Sequence, residues 1–221
     1  KCLGIEYNGL YWYSEGKGKD SHYHINKLNL CNEKGLKLIQ VYEDEYRQHK
    51  SLVIDKIMNS LGMNGDKPKM AGRKCCIREI GKKEAKEFLN ANHIQGFDPS
   101  TVYVGAFSNE GNELVSVMSF LKIKDKWELT RFATDVRYVC PGLAGKCFKY
   151  FVNTYRPSYV KSFADRRWTV SNEVNLYTKL GFTLEEITKP DYYYAFRGKR
   201  MHKFNFRKRI LNKKYGFPLT M

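Results

Sequence analysis

The stretch GIEYNGLYWYSE, residues 4–15, governs the interpretation of the first part of the chain. It joins a short apolar run to one carboxylate, an Asn-Gly turn signal and three consecutive aromatic residues. This pattern predicts a strand whose Leu3 and Ile5 side chains point into a core, followed by a turn. We expect the strand to deliver the Glu6 carboxylate to its end, where it is useful as a metal ligand.

The charge of the chain is large and unevenly distributed. Lys and Arg number 39 against 23 Asp and Glu, a net charge of +16. Residues 1–70 hold 11 basic and 9 acidic residues, whereas residues 71–221 hold 28 and 14. Because each phosphate contact of a basic surface releases counterions, this excess favours a nucleic-acid partner. Solubility alone, or association with a ribosome or a membrane surface, would also account for it.

Several other classes of protein do not fit the sequence. No apolar run reaches the roughly 18 residues of a membrane span, and the first residues do not resemble a signal peptide. The six cysteines have no C-x-x-C spacing, so we expect reduced thiols rather than a zinc site or a disulfide framework. The sequence therefore predicts a cytoplasmic protein, and it indicates no membrane and no protein partner.

The order of predicted elements indicates an α/β (α+β) chain of two units. Residues 1–65 form a first α/β segment, residues 66–73 a linker, residues 74–196 a mixed-sheet unit and residues 197–221 a basic tail. The first segment is predicted to hold strands at 3–7 and 36–42 and helices at 22–34 and 51–61. The second is predicted to hold strands at 75–80, 101–107, 113–120, 127–132, 159–164, 183–187 and 192–196, with helices at 82–92, 146–155 and 173–180.

Five pieces of the first segment carry a resemblance to a known family. They are IEYNGLYW at 5–12, Tyr23-His24, Lys27, CNEKG at 31–35 and LIQVYEDE at 38–45. Together they resemble the phage-type Hef-like homing endonucleases, whose catalytic fold is similar to very-short-patch-repair and PD-(D/E)XK nucleases. The resemblance implies a partial restriction-endonuclease-like segment that hydrolyses double-stranded DNA with Mg²⁺ or Mn²⁺.

The resemblance and the chemistry of phosphodiester hydrolysis together imply a catalytic site. Glu6 and Asn8 would bind the metal, which lowers the pKa of the attacking water. Lys27 would hold a phosphate or that water, and His24, on the same predicted helix face, would relay a proton. Tyr13 stands where the family usually has His. A strand-end acid at Glu6 and a solvated helix face at His24 and Lys27 are the structural alternatives.

The second unit carries a different resemblance. This resemblance rests on three segments: ADRRW at 164–168, NLYTKLGF at 175–182 and KPDYYY at 189–194. Together they look like the domain that follows the nuclease in that family. The core of that domain is similar to the GNAT acyltransferase fold. This implies an alternative activity, acyl transfer from acetyl-coenzyme A, with Tyr177 as the general acid. The segment PGLAGK at 141–146 is only part of a pyrophosphate loop.

Basic and aromatic residues supply the predicted DNA contacts. Trp12 would stack on bases, and the pair Arg166-Arg167 beside Trp168 would clamp a phosphate. Core packing of the aromatic residues and an Asp165–Arg ion pair are the structural alternatives. In the tail, which we expect to be an amphipathic helix from 197 to 214, the predicted contacts are Lys203, Arg207, Lys208 and Arg209.

The leading hypothesis is thus a metal-dependent homing endonuclease with a basic, GNAT-like unit that positions double-stranded DNA. The alternatives are a GNAT-type acyltransferase and a DNA-binding fragment without catalytic activity.

Overall fold

The chain forms two compact units in a computed structural model that describes residues 2–11, 22–169, 174–189 and 191–218. The first unit joins the described residues up to Lys50 to those from Glu186 onward, and the second runs from Ser51 to Glu185. The strands are β1 Leu3–Asn8, β2 Lys37–Tyr42, β3 Cys75–Glu79, β4 Val102–Ser108, β5 Leu114–Ile123, β6 Lys126–Thr134, β7 Val160–Ser162, β8 Tyr193–Phe196 and β9 Lys199–His202. The α-helices are α1 Tyr23–Glu33, α2 Glu43–Leu61, α3 Lys82–Asn92, α4 Leu143–Tyr155, α5 Leu176–Lys179 and α6 Lys208–Tyr215.

A parallel pair of strands forms the centre of the first unit. β1 pairs with β2 in the register Leu3↔Lys37 to Asn8↔Tyr42, and α1 packs on β2. The prediction that Ile5 points into the core is wrong, because Ile5 is 53% exposed while Glu6 is 8% and Asn8 0% exposed. Alternation along a strand fixes two faces but not which of them is buried, and here the face with the polar residues is inside.

The last part of the first unit is a hairpin followed by a short helix. β8 and β9 pair antiparallel through a two-residue turn in which Arg197 and Gly198 have φ values of 50° and 71°. Two positive φ values are typical of a type I′ turn, which matches the twist of the flanking strands. The prediction that residues 192–196 close the main sheet is therefore wrong. Of the amphipathic helix predicted for residues 197–214, only the part from Lys208 onward, in α6, is confirmed.

Helix α2 begins earlier than the sequence indicated. Glu43, Asp44 and Glu45 form its first turn, where carboxylates interact favourably with the helix dipole. Glu43 also accepts a hydrogen bond of 3.0 Å from the backbone N–H of Leu10. At His49 the backbone leaves the helical region, with φ −135° and ψ 43°, so α2 is kinked there.

The second unit is a five-stranded sheet of order β3-β4-β5-β6-β7. Its first four strands are antiparallel, whereas β7 is parallel to β6 and is reached through α4. α3 covers one face of the sheet with Ala85, Phe88 and Leu89, and α4 belongs to the other core cluster with Leu143, Cys147 and Phe151. Helices on both faces of a mixed sheet confirm the predicted α/β (α+β) fold class.

Two sequence-based assignments near the end of this unit are wrong. The predicted helix at 173–180 is reduced to the four residues of α5 in the described part of the chain. The predicted strand at 183–187 is not a strand, and its residues Leu184 and Ile187 are 62% and 56% exposed. Among the described residues, no helix has the length and apolar character needed to cross a membrane.

We predict that Phe151→Ala lowers the free energy of unfolding of the second unit by about 3–5 kcal/mol, because it leaves a cavity in a close-packed core. Phe151 is fully buried and stacks on Phe120 with ring centroids 3.5 Å apart. Denaturant unfolding of the full chain measures the change. The control Ile123→Ala, at a side chain that is 43% exposed, should change it by less than about 0.5 kcal/mol. Equal losses for both variants would contradict this description of the core.

Candidate functional site

The last two strands of the five-stranded sheet separate part-way along their length. β6 pairs with β7 at three positions, Trp127↔Val160, Glu128↔Lys161 and Leu129↔Ser162. The Ser162 hydroxyl donates a hydrogen bond of 2.8 Å to the carbonyl of Leu129 at the last of them. β6 continues to Thr134, but in the described part of the chain this remainder pairs only with β5. Beyond Leu129 the side of β6 toward β7 therefore has no paired strand in the described part of the chain, and we call this gap in strand pairing the cleft.

A β-bulge lies at the point of separation. The β5–β6 register shifts between Ser119↔Arg131 and Phe120↔Leu129, so Thr130 is an extra residue on β6. Its hydroxyl lies 2.8 Å from those of Ser100 and Ser119, which hold the bulge in place. A bulge bends its strand and increases the local twist, and bulges are over-represented beside active sites. The bulge therefore coincides with the point at which the pairing of β6 with β7 ends.

Beyond the end of β6, a well-ordered turn leads into α4. Gly142 precedes the helix with φ 79°, and no side chain caps the N-terminus. The first hydrogen bond within the helix runs from the backbone N–H of Lys146 to the carbonyl of Gly142. The backbone N–H groups before Lys146 therefore have no acceptor within the helix. Such an N-terminus attracts anions. A groove of about 450 Å³ lies beside it, lined by Ala71, Gly72, Arg73, Pro141, Gly142 and Lys146.

The turn before α4 is held by Asp135. Its buried carboxylate accepts hydrogen bonds from the backbone N–H of Arg137 at 2.9 Å and from the Arg137 guanidinium at 2.6–3.1 Å. Burial by itself opposes ionisation, but these donors outweigh it and lower the pKa of the Asp135 carboxyl. Arg137 also forms an ion pair with Glu113, the residue directly before β5.

Tyr177, in α5, contacts the residues at the end of β7. Its hydroxyl is 3.4 Å from the carbonyl of Phe163, the residue after β7, and it also interacts with the Ser162 hydroxyl. Burial is the main cause that raises its pKa, and nearby Asp165 adds to it. Asn175 caps α5, since its side chain accepts from Thr178 N and its own N–H donates to the Thr178 hydroxyl. This capping box fixes the position of Tyr177.

The predicted phosphate clamp after β7 forms an internal ion pair. The Arg167 guanidinium donates to both carboxylate oxygens of Asp165, at 2.7–3.2 Å, and only 15% of the Arg167 side chain is exposed. This is the structural alternative considered for the loop. Trp168 is half-buried beneath the Lys56 ammonium, 5.1 Å from its ring centroid, and Arg166 is also half-buried. Their role in DNA binding stays a prediction.

In the first unit, the predicted catalytic residues meet around Glu6. Its carboxylate forms an ion pair with Lys27 and accepts a hydrogen bond of 3.0 Å from the side-chain amide of Gln40. The same amide also donates a hydrogen bond to the His24 carbonyl. Asn8 is buried, and neither atom of its side-chain amide bonds to another described residue. Among the described residues, no group of three His, Cys, Asp or Glu side chains could hold a metal. The neighbours of Glu6 are donors rather than further oxygen ligands, so the described residues do not fit a Mg²⁺ site.

The remaining predicted DNA contacts are Trp12 and four residues of the tail. Trp12 lies outside the described residues. In the tail, Lys203 forms an ion pair with Asp191 at 2.7 Å, and Arg207 stacks on the ring of Phe204. Lys208 and Arg209 are exposed in the first turn of α6. Their contacts with DNA stay a prediction.

Sequence reasoning missed the residues that shape the cleft. Thr130 and Ser162 lie in short strands whose alternation gives no sign of a bulge or of a final rung in the ladder. The one available signal was PGLAGK at 141–146, which we interpreted as part of a pyrophosphate loop. In the structure this segment leads into α4, which begins at Leu143.

The chain was compared with known proteins in three ways. No protein-family model matches it, and no curated protein gives a significant match. Among solved structures, it is similar to a GNAT-family acetyltransferase from Streptococcus pneumoniae, with a TM-score of 0.42 and 15% identity over 55% of this chain and 99% of that one. Candidate acetyltransferases from Deinococcus radiodurans and Clostridium difficile have TM-scores of 0.40, with 12% and 11% identity. They cover 56% and 55% of this chain and 92% and 99% of their own.

These findings correct the leading hypothesis. The similar structures are described as acetyltransferases, which are transferases and not DNA hydrolases, so the prediction of a homing endonuclease is wrong. The GNAT-like part of the resemblance is supported, whereas nothing supports the nuclease segment. The Mg²⁺ or Mn²⁺ cofactor stays a prediction. Identities and TM-scores this low assign no activity to this chain.

We predict that Asp135→Asn lowers the free energy of unfolding by about 1–3 kcal/mol at pH 7, because the hydrogen bonds that Arg137 donates lose their charged, buried acceptor. The folded-state pKa of Asp135 is lowered, so its contribution is complete above the ordinary value of 3.8 and is lost as pH falls through the folded value. The difference between wild type and variant should therefore shrink below about pH 4. Denaturant unfolding at pH 7 and pH 3 measures it, with exposed Asp125→Asn as the control. A pH-independent difference would contradict the charged role of Asp135.

Proposed function

We propose that the second unit is an acyl-coenzyme A-dependent acyltransferase of the GNAT type that transfers an acetyl group to an amine. The observation that carries this proposal is the cleft between β6 and β7, which begins at the Thr130 bulge. Beyond Leu129 the half-buried edge of β6 has backbone N–H and C=O groups that pair with no described strand on the side of β7. An extended amide chain such as the pantetheine arm of coenzyme A can bond to such an edge as an added strand would.

The N-terminus of α4 supports the proposal because it suits the pyrophosphate of coenzyme A. The backbone N–H groups of its first turn and the positive end of the helix dipole attract an anion without any cationic side chain. No acidic residue lies in that turn to oppose the ligand. The turn held by Asp135 links this N-terminus directly to the end of β6, so arm and pyrophosphate would bind to consecutive parts of the chain.

Tyr177 has the position and the protonation state of a general acid. The amine nitrogen would attack the thioester carbonyl, and the C–S bond of the tetrahedral intermediate would then break. The Tyr177 hydroxyl would give its proton to the departing thiolate and recover one from the surplus proton of the amine through solvent. A tyrosine hydroxyl is protonated at neutral pH, as this step requires, and burial raises the pKa of the Tyr177 hydroxyl further. The products are an amide and free coenzyme A.

We predict that acetyl-coenzyme A stabilises the protein and that Gly145→Glu removes the effect. At a concentration of 100 times Kd, a ligand adds about 2.7 kcal/mol to the free energy of unfolding. This raises Tm by several degrees in a chain of this size. A Cβ at Gly145, in the first turn of α4, meets no atom within 4 Å, so the glutamate fits but repels the pyrophosphate. The variant should bind at least tenfold more weakly by calorimetry. Gly145→Ala is the matched control and should bind as wild type does. Absence of binding at millimolar acetyl-coenzyme A would refute the proposal.

We predict that Tyr177→Phe lowers the turnover number at least 100-fold and leaves the affinity for acetyl-coenzyme A within about twofold, because the ring packing remains and only the proton donor is lost. The released thiol is measured with a chromogenic disulfide while a panel of primary amines is screened as acceptors. Tyr155→Phe is the control, since that hydroxyl donates to Glu79 at the far end of α4. Unchanged turnover in Tyr177→Phe would exclude this residue as the acid.

A further inference from the structure

A strongly basic surface lies on the first unit, where β8, β9 and α6 follow one another. Residues 197–214 hold nine Lys or Arg and no acidic residue. Two of the nine bind carboxylates within the unit. Arg200 donates through its backbone N–H and its Nε to Asp44 at 2.9 Å, and Lys203 pairs with Asp191 at 2.7 Å. We call the other seven the basic surface: Arg197, Lys199, Arg207, Lys208, Arg209, Lys213 and Lys214.

The basic surface has no internal anion to balance it. All seven residues are exposed, and no ion pair joins any of them to a carboxylate in the described ranges 2–11, 22–169, 174–189 and 191–218. Seven like charges on a segment of eighteen residues repel one another, and a polyanion relieves that repulsion while it releases counterions.

Aromatic rings lie among these charges. Tyr192, Tyr193, Tyr194 and Phe204 are 55%, 52%, 45% and 50% exposed. The Arg207 guanidinium lies 3.8 Å from the Phe204 ring centroid. The rings also contact one another or His202, so they form an aromatic cluster beside the cations. Exposed aromatic residues next to a basic patch are compatible with a surface that contacts nucleic acid.

The shape of the segment suits a duplex. β8 and β9 form a two-stranded ribbon, whose Arg197-Gly198 turn carries the cations Arg197 and Lys199 at its tip. The major groove of B-DNA admits such a ribbon. Arg200 anchors the ribbon, because its guanidinium also reaches Glu45 at 3.1 Å and lies 3.8 Å from the Tyr42 ring centroid. Arg200 lies opposite Ala195, on the second rung from the turn, so these contacts hold β9 close to the turn, while Arg197, Lys199 and the cations of α6 remain exposed.

We propose that this surface binds double-stranded DNA, with the β8–β9 hairpin directed into the major groove and the cations of α6 on the flanking phosphates. This binding function is separate from acyl transfer, and neither depends on the other. It involves no cleavage of the DNA.

The test compares two triple variants of equal charge in the full-length chain. Lys208→Gln/Arg209→Gln/Lys213→Gln changes exposed residues of α6, and Lys82→Gln/Lys83→Gln/Lys86→Gln changes exposed residues of α3 in the other unit. Fluorescence anisotropy with a labelled 20-base-pair duplex, measured at several salt concentrations, gives the affinity and its salt dependence. Equal melting temperatures of the variants and wild type establish that both are folded.

We predict that the α6 variant binds the duplex at least tenfold more weakly and that its plot of log K against log salt is shallower by about 2–3, since each lost phosphate contact lowers the slope by about one. The α3 variant should lose less than threefold. Arg197→Gln, at the hairpin tip, should also weaken binding and offers a second test if the triple variant fails to fold. Equal losses in α6 and α3 variants would mean that total charge alone attracts DNA, and would overturn the proposal. Tighter binding to the single strand, to heparin or to vesicles of anionic lipid than to the duplex would overturn it as well.

Discussion

The extra residue at Thr130 is the constraint on which the second unit depends. Up to Leu129, β6 is an inner strand with partners on both sides, and beyond it β6 is an edge. The bulge is held by hydroxyls from Ser100 and Ser119, so its cost in unpaired backbone is offset by side-chain hydrogen bonds. The cleft is therefore a built feature of the sheet, and a ligand that completes the edge of β6 would satisfy groups that the fold leaves available.

The elements around the cleft are each fixed by a local interaction. Asp135 and Arg137 hold the turn into α4, the capping box of Asn175 fixes α5, and the hydroxyl of Ser162 closes the last rung between β6 and β7. An anion site, a strand edge and a proton donor are thereby brought to one region of the sheet. Pre-organisation of this kind is what acyl transfer requires, because the transition state gains only from groups that are already in place.

The sequence predicted some parts of this arrangement well. The limits of α3 match those observed, because Ala85, Phe88 and Leu89 repeat at helical spacing and Gly81 precedes them. The strands predicted at 101–107 and 113–120 lie within a few residues of the observed β4 and β5. Strand β1 shows the limit of such reasoning, since its alternation was recognised and its buried face was assigned the wrong way round.

The cleft could not be predicted for a related reason. A bulge shifts pairing by one residue without changing composition, and Thr130 is an ordinary strand residue in the printed sequence. The net charge of +16 was equally ambiguous, because it does not say which cations are already paired. Only the structure shows that Arg167 and Arg200 bind internal carboxylates, whereas the cations of α6 are exposed. The resemblance to a nuclease misled because it rested on short motifs of the first segment.

Amide hydrogen exchange with and without acetyl-coenzyme A tests the central claim most directly, because it reports on the edge of β6 itself. The account predicts that the amides between Thr130 and Thr134 that do not pair with β5, together with those of the first turn of α4, gain protection when the ligand is added. The amides from Trp127 to Leu129, already paired on both sides, should not change. Protection confined to other parts of the chain, with no change along residues 130–134, would contradict the account.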